Sequence, residues 1–430
     1  MIATPVPAPT KPTQSNARPA RCVSIPVCFW WCMRSTPVVS SLPALVFAAW
    51  VGTMAMMAFV AVIGPVVRLL GLSEWHAGLS VTAAGVLWML SARRWGALSD
   101  RIGRRRVLLT ALAAYAVIYV LMAVFVDTAL RSAPAVWVSV VVLVGTRALV
   151  GLFYAAVPPT AAALVADEAA PGQRAGAMAK LGSANALGMV IGPAAAGWVA
   201  FHDLALTLYV AALLPVLALL VIAWRLPKAT PAAAAGKGPQ APLGRFDPRL
   251  RLPMMAVFAA MISVTIAQVT VGFFAIDRLQ LAPAAGARMA GLALTAVGVG
   301  LILAQMLVMT FKRMPPRHWI ALGALIAALG FGSVALVTLP WQLLATYAVA
   351  AFGMGFVFPS FQALAADSVE AHEQGAAAGA VAGVQGLGMV IGPMVGTLLY
   401  RIAPSVPYLL VGAVLSALAL AAMLHGRRAS

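Results

Sequence analysis

The chain has 430 residues, of which 63% are hydrophobic and only 9% are charged, and its net charge is +18. An ordinary soluble domain carries roughly a quarter charged residues, so this composition excludes a water-facing surface of the size the chain would need and indicates a membrane protein. The basic residues recur in short clusters between long apolar runs, which argues against nucleic acid as the partner of the positive charge.

The sequence up to residue 40 precedes the first long apolar run and is rich in Pro and Ser. Its apolar patch, residues 27–31, is too short to span a bilayer. We therefore expect residues 1–40 to be a disordered extension, with a translation start at Met33 instead of Met1 as the alternative. All three cysteines lie in this region without a His or carboxylate pattern around them, which indicates neither a metal site nor a disulfide framework.

Twelve apolar runs follow, each near or above the roughly 20 residues that a membrane-spanning helix needs. The first six are predicted near residues 43–67, 77–96, 107–126, 135–165, 176–200 and 205–224. The second six are predicted near residues 254–276, 291–311, 319–338, 342–365, 376–400 and 407–424. The fourth run is long enough to kink, and Pro158-Pro159 marks the expected place. The runs predict an all-α membrane protein with one six-helix half over residues 41–224 and another over residues 254–430.

The segment 225–253 between the two sets is basic and rich in Pro, Ala and Gly, so we expect a cytoplasmic linker. With the N-terminus inside, the predicted inner segments hold 23 of the 29 Lys and Arg residues, and the outer segments hold five. Membrane proteins keep Lys and Arg on the cytoplasmic side. The excess therefore predicts a multi-pass inner-membrane protein with both termini in the cytoplasm.

The two halves repeat each other at an offset of 200 residues. The seven residues from Leu187 to Pro193 recur without change from Leu387 to Pro393, and Asp167 aligns with Asp367. Helices four and five therefore correspond to helices ten and eleven. Two parallel six-helix halves, related by an axis along the membrane normal, predict a transporter with a central site between the halves.

The loop between the second and third predicted helices combines glycines, one carboxylate and several arginines. It reads Gly96-Ala-Leu-Ser-Asp100-Arg101-Ile-Gly103-Arg104-Arg105-Arg106. Glycine allows a tight turn, and a guanidinium can hold a carboxylate through two hydrogen bonds. A loop that only keeps positive charge inside would explain the arginines but not the Gly-x-x-x-Asp-Arg-x-Gly-Arg spacing.

This loop resembles the signature motif of the major facilitator superfamily, and the two-half layout extends the resemblance over about residues 40–425. The corresponding loop of the second half, residues 312–317, keeps the charge and loses the Gly/Asp pattern. The resemblance implies a twelve-helix bundle in which one half rocks against the other around a central site. It also implies a cytoplasmic latch in which Asp100 faces the eleventh helix and Arg104 meets Asp167.

The fourth predicted helix carries Arg147 about halfway along its length, followed by Gly151. A charge at this depth is costly and indicates a functional residue, and an arginine satisfied by backbone carbonyls is the structural alternative. The repeat places Tyr347 at the equivalent position, so the arginine is not a scaffold feature that both halves share. Arg-x-x-x-Gly resembles a motif of proton-coupled members of the superfamily, with Val150 in place of the usual polar residue.

The fifth predicted helix contains small residues four apart and a proline, at Gly188, Gly192, Pro193 and Gly197. Small residues let helices approach closely, and proline loosens the local backbone. The string resembles the antiporter motif of drug-efflux members, which favours export over uptake. Simple helix packing is the alternative, because the eleventh helix carries nearly the same string.

None of the eleven acidic residues lies deep in a predicted helix, although many proton antiporters use a buried carboxylate. Asp277, at the outer end of the seventh helix, is the nearest candidate for proton coupling, and an ordinary helix-end charge is the alternative. The remaining polar and aromatic residues of the spans are candidates for lining a substrate cavity: Tyr154, Asn185, Gln268, Gln305, Gln362 and Gln385, with Trp50, Trp88, Phe273 and Phe274.

These observations predict a secondary exporter of small organic molecules that is coupled to the proton gradient and works in drug or metabolite efflux. Export of a self-made metabolite such as a siderophore is the alternative. Because Arg147 is the only full charge placed midspan, neutral or anionic substrates are expected over lipophilic cations. The sequence has no phosphate loop, metal motif or catalytic cluster. We expect no enzyme activity, cofactor or metal, and the expected partners are the substrate, the proton gradient and the lipid bilayer.

Overall fold

In lipid, every backbone polar group must be paired inside the protein, a condition that helices satisfy within a single segment. The computed structural model of the protein shows α-helices joined by short connections, and no strand, throughout the residues it describes, namely 41–169, 173–226, 247–310, 314–370 and 373–425. The predicted extension at residues 1–40 and most of the predicted linker at residues 225–253 lie outside the described residues.

Twelve helices, named α1 to α12, account for most of the described chain. The first half consists of α1 (Leu42–Leu69), α2 (Glu74–Ile102), α3 (Arg104–Ser132), α4 in two parts, α4a (Val136–Tyr154) and α4b (Val157–Glu168), α5 (Arg174–Ala200) and α6 (Leu204–Arg225). The second half consists of α7 (Arg251–Asp277), α8 (Pro283–Thr310), α9 (Pro316–Ser333), α10 (Pro340–Asp367), α11 (Gln374–Tyr400) and α12 (Val406–His425). Short 3-10 helices, Pro248–Leu250 and Val334–Leu336, adjoin α7 and α9. The predicted all-α fold is confirmed, and the order of the helices is consistent with the two predicted six-helix halves.

Ten of the described helices are long and apolar enough to cross a membrane by length and composition. The other two, α2 and α5, are just as long, with 29 and 27 residues. Arginines near the end of α2 and the many Gly and Ala residues of α5 lower their hydropathy. Both helices lie between the halves, where α2 packs against α11 and α5 against α8. Contact with protein on that side reduces the need for a lipid-like surface.

The fourth helix is interrupted at the place where the sequence predicts a kink, immediately before Pro158-Pro159. The interruption takes the Leu152 carbonyl out of the regular helical ladder, and a freed backbone carbonyl needs another donor. Two side chains of α2 supply it: Trp95 Nε1 donates to Leu152 O at 2.7 Å, and Ser91 Oγ donates to it at 3.3 Å. The kink is therefore stabilised from the neighbouring helix.

Glycine sets the distance between α2 and α4a. A Cβ atom on Gly151 would come within 2.7 Å of the backbone carbonyl carbon of Ala84, a separation that side-chain atoms do not normally reach. Glycine at this position lets the two helix backbones touch, which is the usual way that helices gain packing energy in a membrane.

Gly151→Ala is expected to destabilise the protein by about 1–3 kcal/mol, because the added methyl group overpacks a contact with rigid backbone. Gly145→Ala in the same helix is the matched control, since no described heavy atom lies within 4 Å of a Cβ placed there. Thermal unfolding of the purified variants in detergent measures both changes. Equal melting temperatures for the two variants would contradict the packing argument.

Candidate functional site

The two halves touch at one end of the bundle, where α1 ends and α2 begins, which is named the outer end. A Cβ on Gly64 of α1 would lie 3.1 Å from the backbone nitrogen of Phe273 on α7. A Cβ on Gly197 of α5 would lie 2.6 Å from the Cα of Gly291 on α8. Backbone-to-backbone contacts of this kind leave no room for a side chain between the halves at either point, so we describe the outer end as closed.

The opposite end, where α1 begins and α2 ends, is named the inner end, and here the halves separate. Gly379 and Gly383 continue the face of α11 that meets α2 nearer the outer end, and Gly182 lies near the inner end of α5. Within the described residues, no heavy atom comes within 4 Å of a Cβ placed on any of these three glycines. The space between the halves that opens at the inner end is named the cleft.

Three side chains from three helices form a buried polar cluster in the first half. Thr53 of α1 lies between Tyr154 of α4a and Asn185 of α5, with its Oγ1 at 2.7 Å from Tyr154 Oη and 2.7 Å from Asn185 Oδ1. Tyr154 and Asn185 were predicted from the sequence and are joined here. Thr53 was missed, because a single threonine in an apolar helix gives no signal without knowledge of its neighbours.

Arg147 is buried in the first half with only 1% of its surface exposed. Its guanidinium carbon lies 4.2 Å from the centroid of the Phe59 ring, and such cation–π contacts stabilise a desolvated cation. Tyr115 and Tyr119 are close enough to interact electrostatically with it. Among the described residues, neither Nε nor Nη1 of Arg147 has a hydrogen-bond partner. Backbone carbonyls therefore do not satisfy these two nitrogens, which was the structural alternative.

In the second half, Tyr347 occupies the position equivalent to Arg147. Tyr347 donates a hydrogen bond to the carbonyl of Ala267 on α7 at 2.8 Å, and its Oη lies 3.0 Å from that of Tyr408. In the first half the corresponding contacts to α1 come from α3 instead, where Tyr115 donates to Gly52 O at 3.1 Å. The arginine is an addition to the first half and not part of the shared scaffold.

The repeated string of α5 and α11 makes the same contact in both halves. A Cβ on Gly188 would lie 2.6 Å from Trp50 O of α1, and one on Gly388 would lie 2.7 Å from Met261 Cβ of α7. Gly192 also meets α1, at the backbone of Met54, and Pro193 follows it directly in the chain. The string thus packs α5 on α1 and α11 on α7, and a directional role for it stays a prediction.

The loop between α2 and α3 ties three helices together at the inner end. Gly103 has φ of +98°, a conformation that favours glycine. Arg104, with a side chain 8% exposed, donates from Nε to Asp167 Oδ2 at 2.5 Å and lies 3.0 Å from Asp100 Oδ1. Arg105 donates to the carbonyls of Leu226 and Ala223 and so caps α6. Gly96 and Arg101 make no comparable contact among the described residues.

A second group of charges lies at the inner end of the second half. Arg249 contacts Glu373, before α11, at 2.9 Å and Asp247 at 2.8 Å. Hydrogen bonds from the Arg249 side chain and backbone hold the pKa of Asp247 below its usual range. In the first half, a neutral hydroxyl takes the place of the arginine: Ser41 Oγ donates to Glu168 Oε2 at 2.5 Å. In each half, a residue preceding the first helix is thus bonded to a carboxylate near the junction of the fourth and fifth helices, Glu168 at the end of α4b and Glu373 just before α11.

Arg104→Ala is expected to destabilise the protein by about 3–5 kcal/mol, because it leaves the carboxylate of Asp167, which is 9% exposed, buried without its partner. Asp100→Asn is the control at the same arginine and should cost at most about 1 kcal/mol, since Asp100 is 52% exposed. Chemical unfolding measures both.

The double variant Arg104→Met with Asp167→Leu separates charge from packing. Apolar replacement of both partners of a buried pair is often neutral, so the double variant should recover most of the stability lost in Arg104→Ala. No recovery would show that the arginine acts through its shape or its other contacts and not through the buried charge pair.

At the outer end, one guanidinium joins the two halves. Arg68 Nη2, at the end of α1, lies 2.6 Å from Asp277 Oδ2 at the end of α7 and 2.5 Å from Glu74 Oε1 at the start of α2. Tyr400 of α11 donates to the same oxygen of Asp277 at 3.1 Å. These four residues, named the outer cluster, line a surface pocket of about 580 Å³ together with Arg401.

Asp277 lies at the end of its helix and away from the middle of the bundle, as the sequence predicts. Its side chain is 27% exposed and is engaged by groups from both halves. Phe273, predicted as a cavity-lining residue, belongs to the same closure, because its ring lies under Arg68 at 5.4 Å and beside Tyr400 at 5.8 Å. The structure does not join Asp277 to Arg147 or to the Thr53 cluster.

The other predicted lining residues are distributed along the helices between the halves. Gln268 and Gln385 are half-buried on α7 and α11, and Gln305 and Gln362 are exposed on α8 and α10. Phe274 is fully buried against Tyr408 within the second half. The remaining aromatic candidates, Trp50 and Trp88, are half-buried.

Asp277→Asn is expected to loosen the outer closure, because the neutral amide keeps the shape and removes the charge that attracts Arg68. The pair is partly exposed, so the shift in population should be up to roughly fivefold. Electron–electron distance measurements between spin labels at His202 and Ala282, in a background without the three cysteines, would show a longer component. Asp127→Asn, whose carboxylate pairs with Arg131 inside α3, is the control and should leave the distances unchanged. The same distances in both variants would contradict a closing role for Asp277.

Comparison with known proteins identifies the family to which the chain belongs. The model of the Major Facilitator Superfamily matches residues 45–287 and 254–429 of the chain. The chain is 30% identical over 336 residues to the class G tetracycline resistance protein of Vibrio anguillarum, covering 76% of this chain and 80% of that protein. It is 28% identical over 343 residues to the class C tetracycline resistance protein of Escherichia coli, covering 77% and 81%.

Solved structures agree on the fold. A bacterial homologue of the human lysosomal transporter Spinster, in an inward-facing and occupied conformation, superposes with a TM-score of 0.71 at 14% identity, covering 90% of this chain and 96% of that chain. The nucleoside transporter NupG superposes with a TM-score of 0.70 at 11% identity, covering 89% and 99%. The chain therefore belongs to the Major Facilitator Superfamily and is a multi-pass membrane transporter, not an enzyme.

Proposed function

We propose that this protein exports drug-like small organic molecules from the cytoplasm by proton antiport and alternating access. The curated relatives are tetracycline resistance proteins, which supports drug efflux and gives no support to the alternative of a siderophore exporter. The single observation that carries the mechanism is the closed outer end with a cleft at the inner end. A bundle that seals one end by contacts between halves and opens at the other has the geometry of one state of a rocking transporter.

The inner end corresponds to the cytoplasm in this proposal. The excess of Lys and Arg in the segments at that end supports the assignment, and both chain termini then lie inside. The conformation described is accordingly the one that loads substrate from the cytoplasm. Export requires the outer contacts to separate, and these are the glycine contacts and the outer cluster.

Arg147 sets the expected charge of the substrate. A cation in a low-dielectric interior acts over a longer distance than in water, and no acidic side chain of the described residues lies in the middle of a helix to offset it. Positive substrates are therefore disfavoured in the cleft, and neutral or anionic molecules are favoured.

Proton coupling in this proposal runs through helix-end carboxylates because the middle of the bundle holds none. Asp277 is the carboxylate that we assign, since it is partly exposed at the outer end and its charge attracts Arg68 across the halves. A proton taken up from outside removes that attraction and favours the outward-open state. Release of this proton towards the cytoplasm, as the cleft reopens, restores the ion pair and closes the outer end, so that the proton moves inward while the substrate moves outward.

The test is tetracycline accumulation in everted membrane vesicles with an acidic lumen. Arg147→Ala is expected to reduce the transport rate at least tenfold. Because truncation of a side chain that is 1% exposed leaves a cavity, Arg147→Met, which keeps most of the volume and removes the charge, is the companion variant and should lose transport to the same extent while remaining folded. Arg147→Lys should retain part of the rate, since it keeps the charge. Arg131→Ala is the control, as its side chain is 78% exposed.

The two possible failures are distinct. If the wild-type protein shows no uptake driven by the pH gradient, the proposed function is wrong. If the wild type transports and well-folded Arg147→Ala protein transports at the same rate, export stands and the role of Arg147 is wrong.

A further inference from the structure

The side-chain amide of Asn185 has a fixed orientation. Its Nδ2 lies 3.2 Å from the carbonyl oxygen of Leu181, and a carbonyl oxygen only accepts hydrogen bonds. The nitrogen must therefore face Leu181, and the amide oxygen faces Thr53, which donates to it at 2.7 Å. Because the hydroxyl of Thr53 has one proton, Tyr154 is the donor in the remaining hydrogen bond, at 2.7 Å.

This arrangement leaves one free donor. Thr53 occupies the amide oxygen of Asn185, and Leu181 takes one of the two N–H groups. The second N–H has no acceptor among the described residues, and the side chain is only half-buried. An unpaired N–H binds an acceptor and not a donor.

The position of Asn185 on α5 indicates where that donor points. Gly188 and Gly192 mark the face of α5 that contacts α1, and Gly197 marks the face that contacts α8. At 3.6 residues per turn, Asn185 and Met189 fall between these two faces, on the side of the cleft. The exposed residues on the opposite side, which faces lipid, are Leu187, Ile191 and Trp198.

We infer that Asn185 is a specificity-determining residue that donates a hydrogen bond to an acceptor oxygen of the transported molecule, and that Thr53 positions it. The inference rests on the proposed function and narrows its substrate class to neutral or anionic molecules with exposed keto, enolate or carboxylate oxygens. The charge of Arg147 favours the same chemistry, although it lies elsewhere in the first half. Two independent features of the first half thus select for oxygen acceptors.

The experiment uses the full chain in everted vesicles, with tetracycline as the probe because it presents several keto and enol oxygens. Asn185→Leu should raise KM roughly tenfold, as expected for one hydrogen bond to a charged acceptor, with kcat within about twofold of the wild type. Asn185→Asp should raise KM further, because a carboxylate accepts and repels where the amide donates. Asn185→Gln keeps the donor and should restore part of the affinity.

Thr53→Val tests the positioning role without touching the amide. It preserves side-chain shape and lets the amide rotate, so KM should rise by less than in Asn185→Leu. The matched control is Thr110→Val, whose hydroxyl bonds, within the part of the chain that the structure describes, only carbonyls of its own helix, Arg106 O and Val107 O. Its KM should equal that of the wild type.

The outcomes separate the inference from the proposed function. A raised KM in the Asn185 and Thr53 variants, with the Thr110 variant unchanged, supports the inference. An unchanged KM in folded Asn185→Leu or Asn185→Asp overturns it and leaves export standing. A lower kcat at constant KM also overturns it, because that pattern belongs to a residue that acts on the conformational change. No tetracycline transport by the wild type overturns the proposed function, and the inference with it.

Discussion

The direct approach of helix backbones at glycine is the constraint on which the rest of this structure depends. Lipid tails are as apolar as the helix surfaces, so helices in a bilayer associate through packing and hydrogen bonds and not through the hydrophobic effect. Here glycines bring α5 onto α1, α11 onto α7, α4a onto α2, and α5 onto α8 at the outer end. The first three contacts lie within a half and hold it rigid, while the last lies between halves. The contacts within each half make that half a rigid body. The contact between the halves is of the same kind, and it is where the two bodies can separate.

The polar groups proposed to act in transport lie where the two halves differ. A repeat supplies the same scaffold twice, and the paired strings of α5 and α11 show this in their equivalent contacts. Where the halves depart from each other, packing no longer explains the residue. Arg147 replaces a tyrosine that is fully hydrogen-bonded in the second half, and the Thr53 cluster adds a half-buried amide to α5. In the function we propose, the first half therefore holds the polar groups that distinguish substrates, and the second half supplies the surface against which it moves.

The fold was predictable from the sequence to a large extent, because apolar length and charge asymmetry are direct consequences of the bilayer. The position of the α4 kink followed from two adjacent prolines. The meeting of Arg104 with Asp167 followed from the resemblance of one loop to a family motif. The outer cluster was not predictable, since Arg68 and Asp277 are 209 positions apart and each reads as an ordinary helix-end charge. Thr53 was missed for a related reason. The role of its hydroxyl depends on hydrogen-bond partners on other helices, which a single sequence does not reveal.

The placement of charge at the two ends is compatible with the two states of the proposed transport cycle. Arg68 and Asp277 are about one-third exposed, and exposed or partly exposed pairs contribute only about 0–1 kcal/mol each. A cluster of this strength favours one closure without fixing it. At the inner end, the strongly buried pair of Arg104 and Asp167 lies within one half, so it stiffens that half and does not itself resist opening. Asp100 is half-exposed beside the same arginine, and in the cycle we propose it is the group available to the other half when the inner end closes. In the proposed cycle, small energies between the halves and large ones within them keep the two states close in free energy, so that a ligand or proton that binds one state better shifts the balance.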